Sequence, residues 1–308
     1  MIMTDYSKNI WYNNKIINWQ DAKTHVMSHA IHYGSGVFEG LKCYNTEKGP
    51  AIFRLKEHIS RLYESASVYN IKIPFEEKII RQACVDVVKK NNLKDCYIRP
   101  IAFYGYDTLG VNPKNCPVNV AVGSFYWGAY LGDKGLSNGV NICISPWQKF
   151  SYKAIPSTAK ACGQYMNSML SVNHAKANGF DEGLLLDSRG FVAEGSGQNI
   201  FIVKSGKIYT NDEKSSILLG ITRQTIIDFC KELNIEVIIK DLTKEELLDA
   251  DEVFFTGTAS EVTPVISIDK IHINNSKVGD ITSLLKTMYM NVVLGKSDSH
   301  QNLLTYIY

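Results

Sequence analysis

The sequence predicts a mixed α/β protein built as two domains, and three observations carry that expectation. The chain has 308 residues, more than a minimal single core requires. From Val140 onward, short branched-residue runs alternate with stretches of helical periodicity, the signature of mixed α/β layers. Between the two halves lies 128–139 (GAYLGDKGLSNG), glycine-rich and nearly free of β-branched residues, which reads as a linker. The expected division is a smaller N-terminal α/β domain over 1–127, the linker over 128–139, and a larger C-terminal α/β domain over 140–308.

Element by element, Ile10-Trp11-Tyr12, Asn13-Asn14 and Lys15-Ile16-Ile17 read as a hairpin, because asparagine tolerates the positive φ of tight turns. The stretch 25–40 (HVMSHAIHYGSGVFEG) shows no strong period. Its three histidines lack a flanking carboxylate or an H-E-x-x-H pattern, so structural or substrate-lining roles are expected of them and no metal. Leu55, Ile59, Leu62, Ala66 and Tyr69 recur at helical spacing, with Arg61 off that stripe. A second helix is expected from beyond Pro74 to about Lys90, ended by Asn91-Asn92. The runs 97–103 and 118–124 alternate as strands. Further strands are expected over 140–145, 183–187, 199–203, 207–210, 235–240, 252–256 and 262–268. Helices are expected after Gly163, over 221–233 and 243–249, and from Asp280.

Composition narrows the function classes. With 45% hydrophobic and 21% charged residues the chain is an ordinary globular one, and a net charge of +2 points neither to nucleic acid nor to an acidic membrane surface. Seven scattered cysteines form no C-x-x-C pair, and no run approaches the roughly 20 apolar residues of a membrane span. A cytoplasmic location is the expectation.

Chemistry gathers around Lys160. Ser157-Thr158-Ala159-Lys160-Ala161-Cys162-Gly163-Gln164-Tyr165 sets one lysine among small neighbours, an environment that lowers an amine's pKa and frees a nucleophilic lone pair. Arg61 suits a phosphate clamp. Arg99, between Tyr97 and Pro100 in a half-buried strand, needs an anion opposite it, from a substrate carboxylate or from a structural salt bridge. Glu194 lies in a glycine-rich turn before a strand. Leu219-Gly220-Ile221-Thr222-Arg223 opens a helix whose free N–H groups form an anion site. Thr256-Gly257-Thr258-Ala259-Ser260 offers hydroxyls and close backbone approach.

Two enzyme readings compete for Lys160. Ser157-x-x-Lys160 with Ser171-x-Asn173 matches fragments of an acyl-serine hydrolase, but the nearest K-T-G is Lys286-Thr287-Met288, and the S-x-N follows too closely. The other reading is pyridoxal phosphate chemistry: a lysine, an acid for the ring nitrogen, a phosphate cradle and a phenol, for which Lys160, Glu194, Arg61 with Ile221, Thr222 and Thr258, and Tyr165 qualify.

The segments 25–40, EHISRL (57–62), YIRP (97–100), GVNP (110–113), WGAYLG (127–132), TAKACGQY (158–165), AEGSGQNIF (193–201), GITR (220–223) and TGTASEVTPV (256–265) together resemble the branched-chain amino-acid aminotransferases. These are pyridoxal-phosphate enzymes of fold type IV, the D-amino-acid-aminotransferase-like fold. The resemblance implies that Lys160 binds pyridoxal 5′-phosphate and shuttles the proton, that Glu194 pairs with the ring nitrogen and Tyr165 with the ring hydroxyl, and that Arg61, Ile221, Thr222 and Thr258 hold the phosphate. It implies Tyr97, Arg99, Thr258 and Ala259 for substrate carboxylates, and Tyr33, Phe38, Trp127, Tyr130 and Tyr165 as walls of an apolar pocket. Val111 is expected to reach the neighbouring subunit's pocket, so a homodimer at least is implied. The implied reaction exchanges the amino group between leucine, isoleucine or valine and 2-oxoglutarate. D-amino-acid aminotransferases, amine transaminases and aminodeoxychorismate lyases share the same cofactor residues and are the nearest rivals; a non-catalytic pyridoxal-phosphate-binding protein is a remoter one. Leu219, Cys162 and Gln198 depart from the family's usual proline, glycine and acid.

Overall fold

Asn13 and Asn14 adopt positive φ of 45° and 67° and join β1 (Asn9–Tyr12) to β2 (Lys15–Asn18), as the Asn-Asn pair predicts. The structure is a computed structural model and describes residues 7–128 and 130–308. Next come α1 (His29–Tyr33), β3 (Gly36–Phe38), β4 (Leu41–Thr46), β5 (Gly49–Phe53), α2 (Leu55–Val68), α3 (Glu77–Asn91), β6 (Cys96–Tyr104) and β7 (Val118–Phe125). Residues 36–41 are all buried, which is why no alternation announces β3 or the start of β4. Asn92, at φ 52°, ends α3 in the left-handed conformation.

The second half runs α4 (Gly132–Asn138), β8 (Val140–Gln148), α5 (Tyr165–Ala177), β9 (Glu182–Leu186), β10 (Val192–Gly195), β11 (Asn199–Lys204), β12 (Lys207–Thr210), α6 (Ile221–Glu232), β13 (Val237–Ile239), α7 (Lys244–Leu248), β14 (Glu252–Gly257), β15 (Glu261–Ile268), β16 (Ile271–His272), α8 (Asp280–Val293) and β17 (Leu304–Tyr306). A Thr243–Glu246 capping box starts α7. The stretch expected as a linker contains helix α4, packed against β15; tertiary packing overrides the poor propensity of its glycines.

The chain divides into two compact units. Unit 1 holds residues up to Trp127 together with Ala159–Gln164 and Val292–Tyr308; unit 2 holds Gly128–Thr158 and Tyr165–Asn291. Two stretches assigned by sequence to the C-terminal domain therefore fold with the first. The physical reasons are a backbone bridge between Ala161 and Val37 and the antiparallel pairing of β17 with β5.

Among the described residues unit 1 has one eight-stranded antiparallel sheet, in the order β17-β5-β4-β6-β7-β1-β2, with β3 paired to β6. Its core sets Leu55, Ile59, Leu62 and Ala66 of α2 against Val37, Leu41 and Ile98, each fully or almost fully buried. Burying such a side chain contributes about 1.5–3 kcal/mol for the larger ones. Unit 2 has a nine-stranded mixed sheet, ordered β10-β9-β8-β15-β14-β11-β12-β13 with β16 on β15; β8 runs parallel to β9 and β15, and β12 parallel to β13. Val140, Ile142, Leu184, Ile200, Phe255 and Val265 pack its core. No helix of the described residues is long and apolar enough to cross a membrane.

Candidate active site

In unit 1 the lysine loop is fastened by its backbone. The Lys160 N–H donates to Ser65 Oγ (2.9 Å), and its carbonyl accepts from the Phe38 N–H (3.0 Å). Three residues on, the Gly163 N–H donates to the Gly34 carbonyl at 3.2 Å. Gly34 has φ +62°, and a Cβ there would lie 2.6 Å from Gly163 Cα, so only glycine allows the close approach. The Lys160 ammonium sits 5.0 Å from the Phe38 ring centroid. Burial, seconded by the positive charge of Arg61, lowers its pKa from 10.5 to about 8, which is the activation that a nucleophilic amine needs.

Arg61 lies on α2 beside this amine, and Glu39 fixes it. Glu39 Oε1 accepts from Arg61 Nε at 2.7 Å and Oε2 from Nη2 at 3.0 Å; Oε2 also lies 2.7 Å from His58 Nδ1. Glu39 is wholly buried, and although burial alone would raise its pKa, Arg61 and His58 hold the carboxyl well below the usual range. His58, on the same helix face three residues before Arg61, is driven toward its neutral form by burial. Sequence reasoning gave Glu39 and His58 no role. Their signal was present: an acid inside an apolar run, and a histidine at i−3 from a candidate arginine.

Arg99 stands between two aromatic faces, its guanidinium carbon 4.7 Å from the Phe38 centroid and 5.3 Å from that of Tyr97. Its Nε is buried with no hydrogen-bond partner, and no salt bridge to an acid forms among the described residues. Tyr97 is buried, packs edge-on against Trp127 with centroids 4.7 Å apart, and sets its hydroxyl against the Cα of Gly40. Lys160, Arg61, Phe38, Tyr97 and Arg99 are thus brought together, with Trp127 on the flank. Tyr33 and Val111 are exposed to solvent. Tyr33 is half-exposed and donates to the Leu109 carbonyl (2.7 Å), while buried His29 bonds Ser35 Oγ (2.7 Å) and the Gly110 carbonyl (2.9 Å). These ties fasten a loop on which Val111 is 80% exposed.

Unit 2 carries the remaining residues. Glu194, buried at the end of β10, accepts from Lys149 Nζ on Oε1 (2.6 Å) and from the Leu218 N–H (3.1 Å) and Asn199 Nδ2 (3.4 Å) on Oε2. Sequence reasoning passed over Lys149 and Asn199, because a lysine at a strand end reads as solvated. Ile221 and Thr222 are the first two residues of α6, whose N-cap Gly220 supplies no side-chain acceptor, so their N–H groups point out of the helix. Thr258 and Ala259 form the turn between β14 and β15, flanked by Thr256 and Ser260, whose buried hydroxyls have no hydrogen-bond partner among the described residues. Tyr165 begins α5, and Tyr130 reaches Ser196 Oγ at 3.4 Å. Gln198 donates to Glu182 at 3.0 Å, a local link separate from Glu194. Cys162, which belongs to unit 1, is crowded against the Gly36 backbone, and burial pushes its thiol up to about 11, which makes it a poor nucleophile at neutral pH.

The family model for amino-transferase class IV matches residues 36–268, a span that holds Lys160, Arg61, Arg99 and Glu194 together. The branched-chain-amino-acid aminotransferase of Escherichia coli K12 is 43% identical over 290 residues, covering 94% of each chain. The chain belongs to the branched-chain-amino-acid aminotransferases of class IV. Solved structures of such enzymes superpose closely. The Escherichia coli enzyme gives a TM-score of 0.96 at 42% identity, covering 98% of this chain and 100% of that one. The T.th. enzyme with pyridoxamine 5′-phosphate gives 0.95 at 45% identity, covering 98% and 99%. The fold is accordingly fold type IV, and the chain is a pyridoxal-phosphate-dependent transaminase.

Proposed function

We propose that Lys160 is the amine at which this enzyme exchanges amino groups between branched-chain L-amino acids and 2-oxoglutarate. The observation that carries the reading is one half-buried lysine, tuned to about pKa 8, beside an arginine held between two aromatic rings with no acid of its own. Pyridoxal 5′-phosphate is the cofactor of this family, and when bound it supplies an electron sink for negative charge at the substrate Cα. The residues present fit it. Lys160 would hold it covalently; Arg61 and the N–H groups of Ile221 and Thr222, with Thr258, would hold the phosphate; Tyr165 would donate to the ring oxygen and Glu194 accept from the ring nitrogen.

Lys160, once free, takes the Cα proton on Nζ and returns it; a pKa near neutrality suits both transfers. Phe38, Tyr97 and Trp127 offer an apolar face to the side chain of leucine, isoleucine or valine. Arg99 meets the second carboxylate of 2-oxoglutarate or glutamate, and Tyr97 with the amides of Thr258 and Ala259 meets the α-carboxylate. Tyr33 and Tyr130 would complete the pocket. A second copy of the chain would bring Val111, whose exposure on a fastened loop supports a homodimer. Seven free thiols agree with a cytoplasmic setting.

The test is spectral and kinetic. Purified protein should absorb near the visible edge, shift on addition of L-leucine, and form glutamate from L-leucine and 2-oxoglutarate but not from D-alanine. Lys160→Ala should lack the shift. Preference for D-alanine over L-leucine, or an unaltered response of the Lys160→Ala variant, would overturn the reading.

A further inference from the structure

Lys149 is the unassigned group that points most directly at the chemistry. Its ammonium and the Glu194 carboxylate are both about nine-tenths buried, 8% exposed each, and 2.6 Å apart. Glu194 is the acid that Lys149 reaches among the described residues; its other close neighbour is the Phe150 ring, 5.0 Å from Nζ, an apolar wall. The Lys149 N–H donates to the Leu186 carbonyl at 2.7 Å, which fixes where the side chain starts.

A carboxylate has about four lone-pair positions on its two oxygens. On Glu194, Oε2 accepts from the Leu218 N–H and from Asn199 Nδ2, and Oε1 accepts from Lys149. One position remains, on Oε1, and a single N–H donor fills it. We propose that Lys149 is a positioning residue that turns Glu194 so that Oε1 presents its last acceptor position to the protonated ring nitrogen of the cofactor. This rests on the reading of Glu194 as the partner of that nitrogen. Without the ammonium, both remaining donors would sit on Oε2, and nothing would fix the direction of Oε1. An Oε1 turned away from the ring would no longer hold its cation.

The experiment compares the affinity of the full-length apoenzyme for pyridoxal 5′-phosphate and for its 1-deaza analogue, which lacks the ring nitrogen, in wild type, Lys149→Met and Lys149→Arg. Wild type should prefer the natural cofactor at least roughly ten-fold, the loss of one charge-assisted hydrogen bond. Lys149→Met should bring that ratio close to one, and Lys149→Arg should restore it. A purely structural role would weaken both ligands equally and leave the ratio intact, which would overturn the proposal. Absence of any preference in wild type, with the natural cofactor still bound, would sink the assignment of Glu194 first and this proposal with it. Thermal melting of each apoenzyme identifies a variant that has failed to fold; the Lys149→Gln variant then takes the place of Lys149→Met in the comparison.

Discussion

Glu39 grips Arg61 along one edge of its guanidinium, Nε at 2.7 Å and Nη2 at 3.0 Å, from a position with no exposure to solvent. The arginine is thereby aimed before any anion arrives, and that preorganisation is what a phosphate site requires. Glu39→Gln keeps the shape and removes the charge. Breaking one half of a buried pair costs about 3–5 kcal/mol. The variant should melt lower and bind pyridoxal phosphate roughly ten-fold more weakly, read by calorimetry and by titration of the apoenzyme.

The Lys160 amine gives a pH signature. Its folded pKa of about 8 lies below the ordinary value of 10.5, so between those values the unfolded chain holds a proton that the folded one does not. By linkage, this group's contribution to the stability of the apoenzyme rises with pH from 8 to 10.5 and is flat below 8. Lys160→Ala should abolish that slope in chemical denaturation. In the wild-type apoenzyme, labelling of Lys160 by an amine-specific reagent should show a midpoint near pH 8, followed by peptide mass spectrometry.

Arg99 is the residue we propose to separate the two substrates. It stacks on Phe38 and Tyr97 and makes no salt bridge among the described residues, which supports the proposal that its charge serves a ligand. Arg99→Ala should raise the KM for 2-oxoglutarate roughly 10- to 100-fold, the worth of a hydrogen-bonded charge, and change that for L-leucine far less. Equal effects on both would show a general packing role instead.

Gly40 sets the tyrosine. A methyl group built there would overlap the Tyr97 hydroxyl, and the buried ring, held by Trp127, has little room to retreat. Gly40→Ala should cost about 1–3 kcal/mol of stability by overpacking and lower kcat/KM for L-leucine, with Tyr97→Phe as the control for loss of the hydroxyl alone.

How much of this was legible in the sequence depends on what each residue's signal was. Helix α2 follows from Leu55, Ile59, Leu62 and Ala66, and the first hairpin from Asn13-Asn14, because periodicity and turn chemistry are local. Strands β3 and β17 were missed: residues 36–38 are buried on both faces, and Leu304–Tyr306 is a three-residue edge defined by its partner β5. The expected boundaries erred for the same reason, since the ties that place 159–164 and 292–308 in unit 1 are long-range. At the site, Lys160, Arg61 and Arg99 stood out by type and setting. Glu39, His58 and Lys149 did not, because a buried ion pair shows only when both partners are in view.

The pairing of β17 with β5 has a bearing on synthesis. The eight-stranded sheet ends on a strand that the ribosome delivers after all of unit 2, and it also waits for the insertion at 159–164 that brings the reactive amine. The first unit therefore cannot close cotranslationally as an N-terminal domain ordinarily does. A nascent chain arrested before residue 304 should expose the edge of β5 to proteases and chaperones, and emergence of Leu304–Tyr306 would seal it.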